Sequence, residues 1–174
     1  IELDKHSVKQ QNDIEIRKLA MRNAIIRASN KTIGSFAAVI ADPVTEVMYA
    51  IKAGSSLYFG IGSVDDNNFA LASSDLTAIL RFTKTLVDLK EGEFIEFTSD
   101  YYKTFLYKDS VDKKSKTTMK KGSEVFRSPT SSKLRAEDTE LLPEFEYFME
   151  QEINAEIETT GKLIKLYTGG SNSR

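Results

Sequence analysis

At 174 residues, 40% of them hydrophobic, the chain is long enough for one domain with a sizeable core. A formal net charge of −2 offers no concentrated basic surface for nucleic acid, and no apolar run is long enough to span a bilayer. The absence of cysteine excludes disulfides and thiolate metal sites, and a single histidine, His6, argues against a serine–histidine dyad or a multi-histidine metal site.

Residue 1 is Ile rather than Met, which predicts a processed product or a piece of a longer protein. The first dozen residues are polar and lack a signal-like apolar region, so a cytoplasmic location is expected. From Asp13, a plausible N-cap, the spacing predicts a helix. Glu15, Lys18, Arg22 and Ser29 form a narrow polar stripe on it. Ile14, Ala20, Met21, Ala24, Ile25 and Ala28 form a broad apolar face interrupted by Arg17. Ser35 to Ala41 is a nearly continuous apolar run, read as a strand buried on both faces and broken by Asp42-Pro43.

Val47 to Ile51 and Leu57 to Ile61 read as the next strands, and Val64 to Asn68 as a polar turn into Phe69 to Ala72. A short helix is predicted from about Asp75 to Lys84, with Ser74 as its cap. Leu86 to Leu89 and Phe94 to Phe97 flank Glu91-Gly92 as a hairpin. Tyr101 to Tyr107 is a further strand, Lys108 to Lys121 a lysine-rich solvated loop, and Ser128 to Ser132 a loop or linker. From Leu141 a helix is predicted on Phe145, Phe148, Met149 and Ile153, followed by a final apolar piece, Leu163 to Tyr167. Gly169 to Arg174 reads as a frayed end.

No catalytic, cofactor-binding or metal-ligating residue emerges from these elements. Gly60-Ile61-Gly62 reads as a turn between strands, and Asp65 and Asp66 as turn formers. Ser73 and Ser74 precede a helix and read as caps, and Glu91 and Glu93 flank a turn without pairing as acid and base. Composition and motif chemistry alone give no active site.

The order of four blocks is more informative. They are Gly34 to Ile40, Lys52-Ala53-Gly54-Ser55-Ser56-Leu57, Phe69 to Asp75 and Leu89 to Glu93, with Glu146 to Ile153 following later. Together they resemble the later half of the glutaminase (class II amidotransferase) domain of glutamine–fructose-6-phosphate transaminase (isomerizing), over roughly Ile16 to Ile153. The resemblance implies an α+β fold, part of an N-terminal-nucleophile αββα sandwich with antiparallel sheets. It also implies hexosamine biosynthesis: ammonia is taken from glutamine by an N-terminal cysteine and passed to fructose 6-phosphate, making glucosamine 6-phosphate.

The chain departs from that pattern where the chemistry lies. The nucleophile and most of the family's glutamine-binding motifs lie upstream of the matched region and have no counterparts here. The arginine-x-glycine-serine pattern appears as Lys52-Ala53-Gly54-Ser55, and the proline after it is Ser56. Gly54 and Ser55 are therefore read as turn architecture, and the chain alone is expected not to hydrolyse glutamine. The organisation implied is 1–98 as a partial glutaminase-like domain, 99–140 as a strand plus a lysine-rich loop or linker, and 141–174 as a helix and tail leading towards a missing sugar-isomerase half. Glutamine and fructose 6-phosphate are the partners of the complete enzyme, with no cofactor, no nucleic acid and no membrane. A homo-oligomer or a complementary chain is also expected. The alternative is a non-catalytic, amidotransferase-like scaffold or interaction protein.

Overall fold

The computed structural model describes residues 14–111, 117–136 and 140–168. They fall into two compact units, Ile1–Ala136 and Glu137–Arg174. The expected cap Asp13, the lead-in with His6, and Gly169 to Arg174 lie outside the described residues.

In the first unit, helix α1 (Ile14–Ser29) is followed by strands β1 (Phe36–Asp42), β2 (Val47–Ala53), β3 (Tyr58–Val64) and β4 (Asn67–Ser73). Helix α2 (Leu76–Leu80) and strands β5 (Thr85–Val87), β6 (Glu93–Phe97) and β7 (Tyr102–Leu106) come next. Four two-residue strands complete it: β8 (Ser110–Val111), β9 (Thr118–Met119), β10 (Glu124–Val125) and β11 (Thr130–Ser131). The second unit carries α3 (Phe148–Thr168). The chain is thus a mixed α/β protein, and every strand pairing between named strands is antiparallel.

Five strands form one sheet in the order β1-β2-β6-β7-β10, and four form another in the order β11-β5-β3-β4. Period-2 alternation gives the strands of the first sheet two different faces. Tyr49, Ile51, Phe94 and Phe105 pack with Ile25 and Ile26 of α1, whereas Ala50, Ile95 and Phe97 pack with Phe59 and Val87 of the second sheet. On the far side of the second sheet, α2 lies over Gly60. A Cβ there would stand 2.6 Å from Ile79 Cγ2, so the missing side chain permits the approach.

Several expectations are corrected. Apart from Glu15, 74% exposed, the polar stripe of α1 faces the sheet. The Lys18 and Arg22 side chains are only 13% and 18% exposed, while Ile14 and Leu19 are each 55% exposed. The reason is electrostatic: the sheet presents the buried carboxylates of Asp42 and Glu96, and a buried charge needs a partner. Arg17 interrupts the apolar face in order to reach Asp42, donating from Nε at 2.7 Å and Nη2 at 2.9 Å.

Strand β1 is not covered on both faces. Phe36, Ala38 and Ile40 pack towards α1, but Ala37, Val39 and Ala41 are exposed. Leu86 to Phe97 is not a hairpin, because β5 and β6 belong to different sheets and the Glu91-Gly92 turn carries the chain between them. The cap of α2 is Asp75, whose Oδ1 accepts from Thr77 N at 2.9 Å, and the helix ends by Leu80. Gly60 and Gly62 lie inside β3 rather than in a turn, and Thr130–Ser131 of the expected linker pairs with β5. Asp65 and Asp66 do make the β3–β4 turn, with φ of 48° and 62°.

Asp42 also accepts from Val44 N and Thr45 Oγ1, at 3.1 and 2.8 Å. The Arg17 hydrogen bond is the largest of the influences that hold its carboxyl below its ordinary value. A depressed folded-state value stabilises the fold above the unfolded value, and that contribution disappears as pH falls through the folded one. Stability should therefore decline below about pH 4. Urea midpoints of wild type and Asp42→Asn, measured against pH, check this: the wild-type curve should fall more steeply on acidification.

Candidate functional site

The Lys52 to Leu57 block leaves β2 and enters β3 through a loop turned at Gly54, whose φ is +64°. A side chain there would be strained, and its Cβ would also meet Ser35 Oγ at 2.7 Å. The loop is fastened from a distance. Gly54 N donates to Glu91 Oε2 at 3.1 Å, which ties it to the turn connecting the two sheets. The Tyr107 phenol has one hydrogen and two acceptors in reach, Glu91 Oε1 and Lys52 O, each at 3.1 Å. Burial, with the Glu91 carboxylate beside it, pushes that phenol up to about 12. Tyr107 is wholly buried and stays neutral, a donor at any physiological pH.

Between this loop and the Asp88 to Glu91 turn is a cleft of about 500 Å³. Lys52, Lys90, Ser55, Ser56, Asp88 and Glu91 are among the residues that line it. Such a lining can hold a small polar molecule between opposite charges. It does not assemble a nucleophile, since no described base is hydrogen-bonded to either serine hydroxyl. Glu91→Ala should cost about 1 kcal/mol, because one of its two bonds is exposed and the Tyr107 hydroxyl keeps Lys52 O as an alternative acceptor. Native-state hydrogen exchange checks it: the Gly54 amide should lose protection while the β6 amides keep theirs.

A second cleft, of about 580 Å³, opens between the β3–β4 hairpin and the β6–β7 turn. Phe69, Tyr101, Tyr102, Lys103 and Arg127 line it. Arg127 is committed to Glu93, donating from Nε at 3.1 Å and also from Nη2. Burial raises the Tyr101 and Tyr102 hydroxyls above their ordinary value. Thr104, also in the lining, is buried and its Oγ1 has no partner among the described residues.

The residues weighed from the sequence are not brought together. Ser73 accepts from Asp75 N at the α2 cap, while Asp65 and Asp66 stand at the β3–β4 turn. Glu91 and Glu93 have separate partners, Gly54 and Tyr107 for one and Arg127 for the other. Among the described residues no cluster of three or more His, Cys, Asp or Glu could hold a metal ion. Among them, too, no helix is long and apolar enough to cross a membrane. Sequence reading missed Tyr107 and Glu91 as the fastening of the Gly54 loop. The only local signal was the glycine itself.

No protein-family model matches the chain. Individual proteins do. Glutamine–fructose-6-phosphate aminotransferase (isomerizing) of Listeria innocua is 28% identical over 175 residues, covering 95% of this chain and 26% of that protein. The proteins of the same name from Thermotoga maritima and Thermococcus kodakarensis are 33% and 34% identical, over 48% and 45% of this chain. The chain spans about a quarter of the length of the Listeria innocua relative and 13% of the other two. Matches of one name, two of them along 95% of the chain, agree with the resemblance read from the ordered sequence blocks. The chain is a distant relative of the glutamine–fructose-6-phosphate aminotransferases (isomerizing).

Proposed function

We propose that this chain is the later part of the glutaminase domain of an amidotransferase that moves glutamine-derived ammonia to fructose 6-phosphate, and that it serves there as scaffold. The observation that carries this reading is similarity along 95% of a chain that contains no cysteine. The layering supports it: helix α1, two stacked antiparallel sheets, then α2 over Gly60 form an order compatible with part of an N-terminal-nucleophile sandwich. Within such an enzyme a cysteine thiol would attack the glutamine amide carbon and expel ammonia, and water would then hydrolyse the resulting thioester to glutamate and the free thiol. This chain would supply the wall of that domain, with the Gly54 loop and the Glu91 turn as fixed parts. Residues 141–174 would lead towards the sugar-isomerising half, and a cytoplasmic location goes with the same reading.

Purified chain incubated with glutamine should release no glutamate above the buffer blank, since no side chain here can form the thioester. Steady release that scales with protein would overturn the scaffold role. Catalysis should return only when a polypeptide bearing an N-terminal cysteine supplies the upstream half. Coexpression followed by a glutamate assay measures that directly.

A further inference from the structure

Two segments carry the first unit's chain between its two large sheets. Residues 88–92 lead from β5 to β6, and residues 126–129 lead from β10 to β11. The second crossing begins and ends in strands of two residues, short of the usual strand length. Arg127 fastens it within its span. The Arg127 carbonyl accepts from the Tyr102 hydroxyl at 2.9 Å, and the guanidinium forks onto the Glu93 carboxylate. Glu93 is 2% exposed and stands where the first crossing enters β6. One side chain therefore joins the two crossings.

The same carboxylate closes the first crossing as a turn. Glu93 Oε2 accepts from Lys90 N at 3.0 Å as well as from Arg127 Nε at 3.1 Å, and Glu93 N donates to Lys90 O at 3.2 Å. Tyr107 N donates to Gly92 O at 2.8 Å. Among these fixed points stands Glu91, whose carboxylate holds the Gly54 amide. Arg127 lines the cleft of about 580 Å³, whereas Lys90 and Glu91 line the cleft of about 500 Å³. Hydrogen bonds and one turn of backbone thus lead from the first cleft to the other. We propose that Arg127 is a positioning residue that couples the two clefts. By neutralising Glu93 it keeps that buried carboxylate on Lys90 N, which shapes the turn, sets Glu91 and so holds the Gly54 loop. A charge this deeply buried stays in place only while it is paired. Drawing the guanidinium away from one cleft turns the carboxylate towards water, opens the turn and frees Gly54 at the other. This inference does not depend on the amidotransferase reading, since it concerns the geometry of the clefts and not their chemistry.

The experiment is hydrogen exchange on the full chain at neutral pH, followed amide by amide. Arg127→Met keeps the side chain's bulk and removes its charge. The Gly54 and Lys90 amides should then exchange roughly tenfold faster, while the β6 amides keep their protection. Arg127→Lys, which keeps the charge without the fork, should fall between that variant and wild type. Glu91→Ala should speed Gly54 and leave Lys90 slow, which gives the coupling its direction. Adding Glu93→Gln to Arg127→Met should slow both amides again, because a side-chain amide oxygen accepts from Lys90 N without needing a cation. Gly54 unchanged in Arg127→Met, an equal rise at the β6 amides, Lys90 freed by Glu91→Ala, or a double variant as fast as the single one would each overturn the proposal.

Discussion

Replacing Glu96 by alanine should destabilise the first unit by about 3–5 kcal/mol, one of the two largest losses expected from any single substitution here. Glu96 is fully buried on β6, facing α1. Its carboxylate accepts from Arg22 Nε at 2.6 Å and Nη2 at 2.9 Å and from the Tyr101 hydroxyl at 3.1 Å, with Lys18 Nζ at 3.9 Å. Removing it leaves the Arg22 guanidinium without its carboxylate at an interface with little water, while Lys18 keeps Glu15 at 2.9 Å. Urea midpoints at neutral pH check the value. Replacing both partners, Glu96→Leu with Arg22→Met, should recover much of the loss, because the cost lies mainly in stranding a charge. A single-variant loss below about 1 kcal/mol would mean that water reaches this interface and screens the pair.

The second large effect is expected at Phe59. This β3 residue is 1% exposed and fills the space between the sheets. Its ring meets Phe97 edge-on at 4.8 Å and Tyr102 at 6.0 Å. Phe59→Ala removes the largest side chain of the second sheet in that cluster and should cost about 3–5 kcal/mol, the sum of lost transfer energy and an unfilled cavity. Denaturant unfolding gives the total. Hydrogen exchange separates its origin: β3 and β5 amides should lose protection more than those of β2, which α1 still covers. Equal loss in both sheets would show that they open as one unit.

Most strands were legible because alternation and turn residues are local signals. Val47 to Ile51 and Tyr101 to Tyr107 needed nothing else. The failures share one physical cause, a partner far away in sequence. Arg17 reads only as an interruption of the apolar face and Arg22 only as part of a polar stripe because their carboxylates lie 25 and 74 residues on. Leu86 to Phe97 read as a hairpin because Glu91-Gly92 is a turn signal either way. Only the pairing of β5 with β3 and of β6 with β2 shows that the strands part company. At the candidate site the Gly54 turn was visible, whereas Glu91, 37 residues away, was not.

The two arginine forks do more than neutralise charge. Arg17 and Arg22 are five residues apart, about 7.5 Å along the helix axis. Their carboxylates sit on β1 and β6, the neighbours on either side of β2, about 9.6 Å apart across the sheet. A greasy helix on a greasy sheet could slide by a turn or swivel at small cost. One planar fork would stop the sliding and leave the swivel free. Two forks on different strands remove both motions, as a beam held by two bolts can neither shift nor pivot.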